Sequence, residues 1–152
     1  SEMCIRDRYK GRISYLLGEN KDAISYLEKA KEHKQMLASY YLGLAYDANG
    51  DSDKAKKCIA EYIKSGVATS YDLYELGMQE MQDGNYKNAL TYFNSGLELE
   101  KVPNKQNLMK SAIAAYEYSG DFDSAKKMMK EYLKAYPDDE EAKHENTFLE
   151  TR

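Results

Sequence analysis

The sequence predicts an all-α solenoid of about four helical hairpins closed by a C-terminal capping helix. The first observation behind this is a repeated register. Gly11, Gly18 and Ala23 recur as Gly43, Gly50 and Ala55, then as Gly77, Gly84 and Ala89. A fourth copy keeps Gly120 and Ala125 and carries Ile113 at the first glycine. The alanines lie 32, 34 and 36 residues apart, and a period of about 34 residues is that of stacked helical hairpins. The second observation is that apolar residues between these marks recur at spacings of three and four, the helical period.

The elements follow in order. The second unit shows the logic most clearly. Tyr40, Tyr41, Leu42, Leu44, Ala45 and Ala48 outline a first helix, and Asn49-Gly50-Asp51 breaks it. Glycine ends a helix cheaply because it takes a positive φ without steric cost. Asp51 or Ser52 is then expected to cap the next helix. Ala55, Cys58, Ile59, Tyr62 and Ile63 supply its inner stripe. The same reading places units at roughly residues 9–34, 36–66, 70–101 and 106–136, with turns at Gly18, Gly84 and Gly120. Gly11, Gly43 and Gly77 fall inside first helices, where glycine costs about 1 kcal/mol against alanine. A cost taken three times at one register implies close approach of the partner helix. After Pro137, residues 138–152 read as a capping helix. Asp138 is its expected N-cap, Glu141 completes a capping box, and Phe148 and Leu149 face the fourth unit.

Leu42-Gly43-x-x-Tyr46-x-x-x-Gly50-Asp51-x-x-x-Ala55 resembles a tetratricopeptide repeat. So do Leu76-Gly77 through Gly84-Asn85-Tyr86 to Ala89 and Phe93, and Tyr116 through Gly120-Asp121-Phe122 to Ala125, with Pro137 closing the last unit. The resemblance covers residues 9–137 and implies a right-handed solenoid that holds a protein partner. Ser14 and Glu80 depart from the family's tyrosine, Ile113 from its glycine, and Tyr62 and Tyr132 from its alanine. The C-terminal part, with its Tyr-Pro-Asp-Asp-Glu-Glu run, also resembles tetratricopeptide lipoproteins of gut Firmicutes. That leaves a cytoplasmic location open beside an extracytoplasmic one with the N-terminal anchor outside this sequence. Met3 to Arg8 resembles a translated sequencing-adapter string, so residues 1–8 are read as a non-native leader. On that reading the first unit has lost a neighbour, and its outward apolar face favours a dimer.

Composition narrows the function. Of 152 residues, 22 are Lys or Arg and 26 are Asp or Glu, for a net charge of −4. That balance argues against nucleic acid as partner. No apolar run approaches the roughly 18 residues of a membrane span, so no membrane insertion is expected. His33 and His144 stand apart and Cys4 and Cys58 show no ligand spacing, so no metal and no other cofactor is expected. Neither a phosphate-binding loop nor a nucleophile-base grouping occurs, and the chain reads as not an enzyme. Cys58 falls on an inner stripe, as a small buried apolar residue.

The remaining signal is tyrosine. The chain has 15 Tyr, 3 Phe and no Trp. In the family the first helices line the concave face, which implies a groove carrying Arg12 and Tyr15, then Tyr40, Tyr41 and Leu44, then Tyr71, Tyr74, Met78 and Met81, then Lys110, Ala114 and Tyr118. Tyrosine offers contact area with a polar tip and methionine adapts its shape, so this lining suits an extended peptide or helix. Packing between adjacent helices is the competing use of these rings, above all for Tyr41 and Tyr74. The Lys and Asn set with which some family members clamp a C-terminal carboxylate is missing, since Arg12, Tyr41, Tyr71 and Glu75 stand there. Arg12 and Lys110 are left as cations able to attract an acidic partner. A structural spacer within a longer surface protein and an oligosaccharide-binding surface are the alternatives to a protein-interaction scaffold.

Overall fold

The structure, a computed structural model, describes residues 2–32 and 36–152. His33 lies outside them. The described residues form nine α-helices and no strand. These are α1 (Glu2–Leu16), α2 (Asn20–Glu32), α3 (Met36–Ala48), α4 (Ser52–Lys64), α5 (Ser70–Gln82), α6 (Tyr86–Leu97), α7 (Lys105–Ser119), α8 (Phe122–Ala135) and α9 (Glu140–Leu149). The chain divides into two compact units, Ser1–Ala68 and Thr69–Arg152.

Each unit is built from hairpins. In the first, α1 packs on α2, α2 on α3 and α3 on α4. In the second, α5 packs on α6, α6 on α7, α7 on α8 and α8 on α9. The first helix of a hairpin also meets the first helix of the next, as α1 meets α3 and α5 meets α7. This is an all-α repeat fold, as the register predicts.

The glycines have the two roles expected of them. Gly18, Gly50, Gly84 and Gly120 all take a positive φ at the hairpin turns. At Gly120, with φ +80°, the N–H bonds the Glu117 carbonyl and the next N–H, of Asp121, reaches back to the Tyr116 carbonyl at 2.9 Å. A side chain at that φ would be strained. The helix-interior glycines are contact points instead. A Cβ at Gly43 would sit 2.6 Å from Ile59 Cδ1, one at Gly11 would sit 2.8 Å from Leu27 Cδ2, and one at Gly77 would sit 2.6 Å from Phe93 Cδ1. In the fourth hairpin Ile113 occupies this register and is itself buried against the α8 and α9 side chains.

Two caps differ from the sequence reading. Asp51 precedes α4 but makes no side-chain cap; its carboxylate accepts from Asn49 Nδ2 at 3.3 Å. For α9 the N-cap is Asp139 rather than Asp138, and no capping box with Glu141 forms. Asp139 Oδ1 accepts from the Ala142 N–H at 3.0 Å. Its other oxygen takes the Tyr132 hydroxyl at 2.5 Å and the Lys110 ammonium at 2.8 Å, partners that Asp138 lacks. Leu149 is buried on α8 as expected, whereas Phe148 stays 41% exposed beside Arg152. Residues 2–8 continue into α1 without a break, and Cys4 is buried. Cys58 belongs to the core of the first unit, where burial pushes its thiol pKa up.

Candidate functional site

The residues expected to line a groove are distributed over both units. In the first, Arg12 is exposed on α1, and its guanidinium lies 5.2 Å over the Tyr41 ring. Tyr41 meets Tyr40 edge-on at 5.1 Å, and Tyr40 leans on the buried Tyr62 at 5.3 Å. Tyr15 and Leu44 are half-buried, and burial together with the Asp47 charge raises the Tyr15 hydroxyl pKa. These rings therefore pack and present an edge at the same time.

In the second unit Tyr71 is exposed, while Tyr74, Met78 and Met81 are half-buried against the core around Phe93 and Leu108. The Ser111 hydroxyl donates to Met78 Sδ at 3.6 Å. Tyr118 is 68% exposed and stacks on Tyr86 at 5.4 Å. Lys110 is not a free cation. It pairs with Asp139 at 2.8 Å and Glu141 at 3.6 Å, and lies 5.8 Å over the Tyr132 ring. The expectation that it draws an acidic partner therefore gives way to an internal role, which is to fix the start of α9.

What the second unit adds is a cleft of about 550 Å³ between α7, α8 and α9. Lys110, Ala114 and Tyr118, the three groove positions expected of the fourth hairpin, all line it. Ile113, Met129, Tyr132 and Ala142 are its buried lining, Phe122 is half-buried, and Phe148 is the exposed aromatic at its edge. The size is that of an ordinary ligand pocket, for which about 300–1,000 Å³ is typical. The position that is a contact glycine in the other three hairpins is Ile113 here, so the cleft lies where the helix pair carries a side chain in place of the close approach.

Two carboxyl groups were missed by the sequence reading. Glu117 on α7 and Glu145 on α9 both line the cleft, with the Glu145 carboxyl near enough to act on Glu117. Partial burial, then the Glu145 carboxyl, push the Glu117 pKa up to about 7. Asp139 shows the opposite. The hydrogen bonds from Lys110, Tyr132 and the Ala142 N–H hold it well below the usual carboxylate range.

The Glu117 shift has a consequence for stability. A carboxyl whose folded pKa is raised stabilises the fold fully below its unfolded pKa of about 4.5, and that contribution is lost as pH rises through about 7. Glu117→Gln is therefore expected to raise the urea midpoint at pH 8 and to change it little at pH 5. An equal effect at both pH values contradicts the raised Glu117 pKa.

A family sequence model described as tetratricopeptide repeat matches residues 37–65 and 106–139. These are the α3–α4 and α7–α8 hairpins with their flanks. Two of the four hairpins thus match the tetratricopeptide-repeat model. The match takes in the fourth hairpin although Ile113 replaces its glycine. None of the curated proteins matches the chain in sequence.

Solved structures with a similar fold include PilF of Pseudomonas aeruginosa, 15% identical with a TM-score of 0.66 over 97% of this chain and 68% of that one. A point mutant of MamA is 20% identical with a TM-score of 0.64 over 98% of this chain and 82% of its own. A putative kinesin light chain from Podosopora anserina, described as having nearly identical TPR-like repeats, is 15% identical with a TM-score of 0.58, over 95% and 83%. At these identities the likeness is one of fold. Among the described residues no group of three or more His, Cys, Asp and Glu is placed to hold a metal ion. No described helix is long and apolar enough to cross a membrane.

Proposed function

We propose that this chain is a non-enzymatic scaffold that holds a peptide or helix of a partner protein against the first-helix faces of its repeats. The observation that carries this reading is the cleft of the second unit, an open and largely apolar surface bounded by exposed aromatic side chains. Aromatic anchors over an apolar pocket are the usual energetic centre of a protein interface. Tyr118 and Phe148 have that role here. Tyr71, Tyr74, Met78 and Met81 extend the contact surface of the second unit. Arg12, Tyr15, Tyr40, Tyr41 and Leu44 offer a separate one on the first.

Peptides selected from a random display library on the folded protein test this. Ala114 is half-buried and lines the cleft, so Ala114→Arg fills it from the solvent side. The selected peptides are expected to lose at least about tenfold in affinity on Ala114→Arg, which is about 1.4 kcal/mol. A thermal melt confirms that the variant is folded. Selected peptides that bind both proteins equally would overturn the cleft as the binding surface. A library that yields no binder would support the spacer role instead.

A further inference from the structure

This inference rests on the scaffold reading and names the occupant of the same cleft. Its charges are unevenly compensated. From α7 come Lys110, Glu117 and Tyr118, from α8 comes Tyr132, and from α9 come Glu141 and Glu145. Lys110 is bridged to Asp139 and Glu141, and the Tyr132 hydroxyl is committed to Asp139. Arg152, at the end of the chain, lies 4.4 Å over the Phe148 ring. Among the described residues no cation pairs with Glu117 or Glu145, which sit in a partly desolvated position beside an apolar floor. Two carboxyls held together repel when both are ionised, and a cation between them removes that cost.

We infer that the cleft takes an amphipathic helix of a partner protein, with a lysine or arginine seated between Glu117 and Glu145 and its apolar face over Met129, Tyr118 and Phe148. Apolar groove and acidic rim then match the two faces of one ligand, which is the helix-in-groove mode with charge complementarity added. The opposite ligand, an acidic helix, would be repelled by Glu117 and Glu145, while Lys110 is already bridged to Asp139 and Glu141. Seating the cation also favours the ionised form of Glu117. Affinity for the basic helix therefore rises with pH through about 7, and is weakest where Glu117 is protonated.

The test uses the full chain and two synthetic amphipathic peptides. They are identical except that one carries lysine and the other norleucine at the centre of the polar–apolar boundary. Dissociation constants are measured by fluorescence anisotropy at pH 6 and pH 8. The lysine peptide is expected to bind at least about tenfold tighter than the norleucine peptide at pH 8. That advantage should shrink by about tenfold at pH 6, the change expected for a group titrating near 7. In Glu117→Gln/Glu145→Gln the lysine advantage should vanish while norleucine binding persists, which also shows that the variant cleft is intact. If both peptides bind the wild type equally and Phe148→Ala weakens both, the cation seat is wrong and the scaffold reading stands. If neither peptide shows binding that Phe148→Ala weakens, the inference fails, and the selected peptides and Ala114→Arg decide the scaffold reading separately.

Discussion

Phe93→Ala is expected to cost about 3–5 kcal/mol in urea unfolding, the range for removing a buried phenylalanine from a packed core. Phe93 has no exposed surface, leans on Tyr74 at 6.3 Å, and belongs to the cluster joining α6 to α7. It also lies against the glycine register, so a second substitution reads the same contact from the other side. In an exposed helix, Gly→Ala stabilises by about 1 kcal/mol. At Gly77 the new Cβ would stand 2.6 Å from Phe93 Cδ1 and 2.9 Å from Cζ, with the ring held in the core. The expected sign is therefore reversed, a net loss of about 1–2 kcal/mol from overpacking. A stabilising Gly77→Ala would contradict the account of why glycine recurs at this position.

Tyr132→Ala is the second large effect, with a loss of about 3–5 kcal/mol expected. Tyr132 is fully buried and its ring meets Tyr136 at 4.8 Å. Its hydroxyl donates to Asp139 and accepts from Gln106 Nε2 at 2.9 Å. Truncation removes the ring from the lining of the cleft and one of the groups holding the α9 cap. Tyr132→Phe separates the two parts. It keeps the ring and is expected to cost about 1.5–3 kcal/mol, the worth of a hydrogen bond to a charged group. Hydrogen exchange should show the Phe variant losing protection first in α9, whose cap Asp139 then depends on Lys110 alone. Uniform loss across α5 to α9 would mean that the hydroxyl does not serve the cap.

The hairpins were legible because their marks are single-residue events. A positive φ at Gly50 or Gly120 and a missing Cβ at Gly43 or Gly77 leave one glycine each in the sequence. Gly66 and Gly96 show the same two roles outside the repeating register, one at φ +76° after α4 and one with its Cβ position 3.1 Å from Leu108 Cδ1. The sequence pattern places the α9 cap one residue early because Asp138 and Asp139 are the same residue type. What separates them is tertiary, the Tyr132 hydroxyl and the Lys110 ammonium. Ile113 could be read as a departure, but its place beside a cleft could not. The cleft needs Glu117, Glu145 and Phe148 from two helices that a repeat pattern treats as independent surfaces. The tyrosines divide for the same reason. Tyr41 and Tyr74 are half-buried against core side chains, whereas Tyr71 and Tyr118 stand out in solvent, and periodicity gives all four the same face.

The central claim is that the cleft between α7, α8 and α9 is where a partner docks. The seven methionines provide native probes of it. With their methyl groups labelled with carbon-13, the lysine-bearing helix is titrated into the protein at pH 8. The account predicts a saturable shift of the Met129 methyl, which lines the cleft, while the Met3 methyl on α1 stays in place. Saturable binding of the helix with Met129 unmoved would place the partner elsewhere and contradict the account.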